Sequence, residues 1–262
     1  MLYEVLGKND KVLGKTKKTD QETLKGFLDM IQDGTLSNEF LEVLYRDGKA
    51  TGRIKPRDLV HEDGDYHASI QWHEGKIFGG EAYNVWQLRA PNKDVWPGML
   101  DAVVAGHFAI GEDMEDAKRE VSEEIGINPY RQKPFYMGKR TNMDYQPTLI
   151  NREVQDVFIN FDDYGLDDYL LEDKELSGIY LVRCEDLIDV FMGRKAIMSD
   201  VEAVIFNPLG KLEKKQVYLG KKDFCHSLDN YYLKTAVFTK MLAEGYDLPA
   251  NPYSVEVTSF LS

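Results

Sequence analysis

Apolar residues recur at Met114, Ala117, Val121 and Ile125, the spacing of one helix face, and predict a helix over 115–125. On the face beside that stripe stand Glu120, Glu123 and Glu124, within about 100° of one another on such a helix. Gly126 follows the last apolar position and marks a C-terminal stop. Upstream the pattern changes. Residues 3–20 and 41–58 align without a gap at an offset of 38. Each copy reads as a strand, a polar turn around Asn9-Asp10 or Asp47-Gly48, and a second short strand. Two copies do not make a solenoid; they read as similar hairpins of one sheet or as a local duplication. Between them, Leu24, Phe27, Leu28 and Ile31 recur at helical spacing over 21–32.

Beyond Gly126, residues 135–139, 154–160 and 176–182 read as strands, the second rich in β-branched and aromatic side chains. Residues 185–192 form a short amphipathic helix. Ser227 is placed to cap a helix over 228–244, with Tyr232, Leu233, Val237, Phe238 and Met241 inward and Gly245 as its stop. Substrate selectivity is assigned to the loops 128–150 and 162–175, whose Tyr136, Tyr145 and Tyr164 offer aromatic stacking. Trp72, Trp86 and Trp96 are read as core residues before ligand stackers.

Like charges at i, i+4 destabilise a helix, so Glu120 and Glu124 on one face call for a cation. A hard divalent ion, Mg²⁺ or Mn²⁺, suits such oxygen donors; a solvated acidic face is the plainer alternative. The surrounding residues decide between them. Gly106, Glu112, Arg119, Glu120, Val121, Glu123, Glu124, Gly126 and Ile127 match by type the box of the Nudix family, Gly-x5-Glu-x7-Arg-Glu-U-x-Glu-Glu-x-Gly-U, with U aliphatic. The chain resembles that family with one departure: six residues, not seven, separate Glu112 from Arg119. The resemblance implies an α/β fold, the α/β/α sandwich with a mixed sheet, over residues 39–262, behind a hairpin-and-helix extension at 1–38. It implies metal ligation by Glu120, Glu123 and Glu124 and by the Gly106 carbonyl, and a bracing role for Arg119, four residues before Glu123.

Residues 52–61, 63–70, 87–98 and 104–107 are also similar to the Nudix branch that contains the type I isopentenyl-diphosphate isomerases. That resemblance puts Arg89 and Lys93 near the diphosphate, against the reading of solvated charges. It puts His67 and His107 at places matching metal-ligand histidines, against the reading of hydrogen-bonded packing residues. The isomerases carry a catalytic Cys two residues before the histidine matched by His107, and Ala105 stands there. Alanine moves no protons, so hydrolysis is favoured over isomerisation. Glu153 matches a metal-binding or base glutamate of the branch, with Glu175 as the alternative base and a rim ion pair as the plain reading.

Charge and composition then narrow the partners. A net charge of −13 without a basic block disfavours nucleic acid. No run of about 18 apolar residues appears, so no membrane is expected. Cys184 and Cys225 lack metal-ligand spacing and fit a reducing cytoplasm. The expectation is a metal-dependent hydrolase of a small organic diphosphate, possible as a homodimer through residues 1–38. The alternatives are a silent module binding a phosphorylated ligand, or an isomerase using another acid.

Overall fold

The computed structural model describes residues 2–17, 20–31, 39–93, 95–146, 149–171, 176–249 and 251–254. The first elements are β1 (Tyr3–Leu6), β2 (Val12–Thr16), α1 (Gln21–Ile31), β3 (Phe40–Leu44), β4 (Ala50–Pro56) and α2 (Arg57–Asp63). Next come β5 (Tyr66–Phe78), β6 (Glu81–Arg89), β7 (Leu100–Asp101), β8 (Val104–His107), α3 (Met114–Ile125), β9 (Phe135–Gln146) and β10 (Leu149–Phe161). The last are β11 (Leu176–Arg183), α4 (Cys184–Phe191), β12 (Ile197–Phe206), β13 (Leu212–Gly220) and α5 (Tyr231–Ala243). The chain divides into two compact units, one built of Met1–Ile70, Gly106–Ala117 and Arg140–Asp156, the other of Gln71–Ala105, Lys118–Lys139 and Val157–Ser262.

In the first unit both predicted hairpins form, and they lie in one sheet. Strand β1 pairs antiparallel with β2 and parallel with β4, Glu4 opposite Arg53; β4 pairs antiparallel with β3, and β3 meets β5 at Leu44 and Tyr66. Parallel and antiparallel ladders make this a mixed sheet. Tyr3, Val5, Leu24 and Phe27 of the first hairpin and its helix share a core cluster with Phe40, Ile54 and Ile110. Strands β9 and β10 pair with each other, and β10 and β8 each pair with β5. The strand expected over 135–139 forms and the loop expected over 128–150 is corrected around it: polar residues alternate beyond residue 139, but the backbone stays extended to Gln146 and is extended again from Leu149.

The second unit is an antiparallel run in the order β13, β12, β11, β6 and the end of β5. Helices α4 and α5 pack together over it. Its core holds Trp86, Val157, Ile159, Tyr180, Leu187, Phe224 and Phe238. Helix α5 starts at Tyr231, not at Leu228, because Asn230 sits in the left-handed region at φ 56. Ser227 does not cap it; its hydroxyl donates to Asp229 at 2.6 Å. Trp72 and Trp86 are fully buried, as a core reading requires.

A buried polar network anchors the acidic stretch after β10. Trp72 Nε1 donates to Glu74, Asn160 Nδ2 donates to Glu74 at 3.0 Å, and Lys76 Nζ donates to Asp162 and to the Tyr164 carbonyl. Burial, reinforced by the Asp162 charge, pushes the Glu74 carboxyl well above its usual range. Among the described residues, no helix is long and apolar enough to cross a membrane.

Candidate metal centre and box helix

Three histidines converge in the first unit. His61 stands near the end of α2, His67 near the start of β5 and His107 at the end of β8. The residue that makes this possible is Gly64, which closes α2 at φ 68. A Cβ there would fall 2.7 Å from Ile150 Cγ2, so both backbone and space demand glycine. The chain reverses at once into β5, bringing His67 beside His61. The ring centroids lie 5.0 Å apart for His61 and His67, 5.3 Å for His61 and His107, and 4.8 Å for His67 and His107. One nitrogen from each falls within 4.8 Å of the others.

His67 is fully buried and its Nδ1 lies 3.1 Å from the Asp65 carbonyl oxygen. A carbonyl only accepts, so Nδ1 carries the proton and Nε2 keeps its lone pair. The Nε2 atoms of His61 and His67 are buried without a hydrogen-bond partner. Burial first, then the neighbouring imidazoles, hold His61 down at about 3 and His67 at about 4. Both are neutral at pH 7, as metal ligands must be.

The fourth member is Glu153, 8% exposed and in the body of β10, not at its start. His107 Nε2 faces its Oε1 at 3.5 Å, and Gln155 Nε2 donates to its Oε2 at 2.8 Å. Burial works to raise its carboxyl, but the hydrogen bonds it accepts from His107 and Gln155 hold it well below the usual carboxylate range. Behind it Arg140 donates to Gln155 and, at 3.1 Å, to Asn142. On the far side Arg57 Nε lies 3.4 Å from His107 Nδ1 and 3.4 Å from Glu39 Oε2. Three imidazoles and a carboxylate, with two buried nitrogens lacking any partner, are a donor set that fits a divalent transition ion.

The box helix forms as α3. Asp113 caps it, accepting from the Glu115 and Asp116 amides at 2.8 and 3.1 Å, while Asp116 returns the bond to the Asp113 amide at 3.0 Å. Val121 and Ile125 are fully buried, Glu120 and Glu124 half-buried, and Glu123 exposed. Arg119 Nη1 pairs with Glu123 Oε1 at 2.5 Å, the predicted i, i+4 contact. Gly126 stops the helix at φ 71; a Cβ there would meet Leu170 Cγ at 2.6 Å. The short loop explains Glu112: its Oε2 accepts the Ala109 amide at 2.8 Å and closes the turn. Phe108, Ala109, Ile110, Glu112, Asp113 and Met114 line a pocket of about 190 Å³ with Glu42 and Asp156.

Of the sequence-predicted site residues, His67, His107 and Glu153 come together. Gly106 lies in β8, directly before His107. Arg89 is turned onto its own loop, Nε donating to the Val95 carbonyl at 3.0 Å and Nη1 lying 3.5 Å from Asp101. Lys93 stands on that loop, half-buried. Glu175 lies outside the described residues. Sequence reasoning missed His61, Arg140, Asn142 and Gln155. The signal for the last three was alternation: Arg140 and Asn142 share one face of β9, and Glu153 and Gln155 share one face of β10.

No family model matches the chain. Over 197 residues it is 29% identical to an uncharacterized Nudix hydrolase of Clostridium acetobutylicum, a match covering 75% of this chain and 95% of that relative. It is 30% identical over 156 residues to Nudix hydrolase 3 of Arabidopsis thaliana, covering 58% of this chain but 20% of the relative. Among solved structures, DR0079 of Deinococcus radiodurans aligns at TM-score 0.43 and 18% identity, over 60% of this chain and 91% of that one.

Proposed function

We propose that the chain is a Nudix hydrolase, in keeping with its likeness to the Nudix relatives of Clostridium acetobutylicum and Arabidopsis thaliana, and that it is a metal-dependent hydrolase of a diphosphate linkage in a nucleoside diphosphate derivative or a similar organic diphosphate. The observation that carries the metal dependence is the convergence of His61, His67 and His107, with His107 beside Glu153 and the Nε2 atoms of His61 and His67 buried without hydrogen-bond partners.

His61, His67, His107 and Glu153 would hold one divalent ion, and Glu120, Glu123 and Glu124 of α3 would offer a second set of donors. Such ions supply charge neutralisation at the phosphoryl oxygens and acidify a water for attack. The imidazole-rich set suits Mn²⁺ better than Mg²⁺, and the carboxylate set takes either. Glu153, 3.5 Å from His107, is read as a ligand, and Glu175 as the candidate to take the proton of the attacking water. Arg119 orients Glu123 through their ion pair. Arg89 shapes the loop that carries Lys93, and Lys93 meets the phosphate as a point charge.

The test is phosphate release from nucleotide sugars, dinucleoside polyphosphates, thiamine diphosphate and isopentenyl diphosphate with Mg²⁺ or Mn²⁺, comparing wild type with Glu124→Gln. Turnover that requires the ion and collapses in the variant is expected. Absence of turnover with every compound, together with unaltered ligand binding in the variant, would favour a silent binding module. A phosphorus spectrum that keeps two coupled signals while isopentenyl diphosphate is converted would favour isomerisation, which Ala105 argues against.

A further inference from the structure

Lys55 is fully buried, and three carboxylates meet its Nζ at 2.6 Å each: Asp10, Asp63 and Asp65. They come from separate places. Lys55 belongs to β4, Asp63 ends α2, Asp65 follows the Gly64 turn, and Asp10 stands at the tip of the β1–β2 hairpin. An ammonium has three N–H donors, so this set uses all of them. The three acid oxygens are close enough to read as a cation site of their own. The Lys55 ammonium already fills it, so the cluster is a fastening.

What it fastens is the backbone that orients His67. The Asp65 side chain is held by Lys55, and the Asp65 carbonyl oxygen accepts from His67 Nδ1 at 3.1 Å. One residue thus connects the buried lysine to an imidazole of the three-histidine cluster whose Nε2 is buried without a hydrogen-bond partner. An imidazole free in water slightly prefers its proton on Nε2, the wrong nitrogen for presenting Nε2 to a metal. The carbonyl reverses that preference only where Asp65 is fixed.

We propose that Lys55 is a positioning residue for the three-histidine centre, holding His67 as the Nδ1–H tautomer through Asp65, and that Asp10 makes the N-terminal hairpin part of the same support. The inference rests on the reading of His61, His67 and His107 as a cation site. The first hairpin thereby serves the centre from a distance, because its tip supplies one of the carboxylates that complete the Lys55 shell.

The experiment uses the full metal-free chain. Long-range ¹H–¹⁵N spectra report which His67 nitrogen carries the proton, and Mn²⁺ titration reports affinity. Wild-type His67 is expected as the Nδ1–H form. Lys55→Met shifts it toward a mixture and weakens Mn²⁺ binding about 10- to 100-fold. Asp10→Asn, at a hairpin tip with a side chain 64% exposed, leaves the fold intact and moves both readouts the same way by a smaller factor. If Lys55→Met does not fold, Asp10→Asn decides alone. A wild-type tautomer and wild-type affinity in the folded variants would overturn the proposal. Should the wild type bind no Mn²⁺ while the variants still shift the tautomer, the positioning role stands and the cation-site reading fails.

Discussion

Glu153 Oε1 lies 3.5 Å from His107 Nε2, inside a strand and 8% exposed. A buried carboxylate kept ionised by the hydrogen bonds of His107 and Gln155 has charge to offer a cation. Glu153→Gln keeps the shape and removes the charge. The expected result is a loss of kcat/KM on the order of 10²-fold or more, with Mn²⁺ affinity falling in parallel. Parallel titrations of Mn²⁺ binding and turnover check it. A variant with full affinity and lost turnover would instead make Glu153 the base.

The histidines predict how the metal-free protein responds to acid. His61 and His67 titrate near 3 and 4 when folded, against 6.5 as the ordinary value. Below 6.5 the unfolded chain takes up protons that the folded chain refuses, so stability is full above that pH and declines as pH falls toward 4. Glu153, depressed in the folded state, adds a loss of the same sign at lower pH. His67 alone is worth about 3 kcal/mol over this range. Denaturant unfolding in chelator at pH 7 and pH 5 measures the decline, and His67→Gln flattens it.

Glu74 predicts the opposite slope. Its carboxyl is raised by burial and by Asp162, so its stabilising contribution is present at low pH and is lost as pH rises above the ordinary carboxylate range. A glutamine there accepts from Trp72 and Asn160 through its oxygen and donates toward Asp162, reproducing the protonated acid. Glu74→Gln therefore gains stability relative to wild type as pH goes from 5 to 8. Thermal unfolding across that range reads the difference.

Gly126→Ala tests the end of the box helix. The position combines φ 71 with a Cβ site 2.6 Å from Leu170, so alanine costs about 1–3 kcal/mol. Equilibrium unfolding shows this directly, and a cost under half of that range would mean that Leu170 moves aside freely.

Helix α3 was legible because its signals agree: the stripe ending in Val121 and Ile125, the Arg119–Glu123 spacing and the Gly126 stop all point to one element. The two hairpins were legible from short-range turn chemistry. His61 was not, because α2 spans only Arg57–Asp63, too short for a helical period to emerge. The part of β9 beyond residue 139 escaped for another reason. Arg140 is buried and Asn142 half-buried where polar side chains ordinarily mean solvent, and their reason for being inside is Gln155 and Glu153, distant in sequence. Asn230, in the left-handed region, delays α5 past the Ser227 cap that the pattern suggested.

The most direct test of the account is a Co²⁺ titration of the metal-free chain, read by visible absorption and compared with His67→Ala and Glu124→Gln. Imidazole ligation gives ligand-field bands that report the donors. The account predicts saturable bands in wild type and in Glu124→Gln, and their loss in His67→Ala together with metal-supported hydrolysis. Bands that persist unchanged in His67→Ala, or a wild type that shows none while it hydrolyses substrate, would contradict the three-histidine centre.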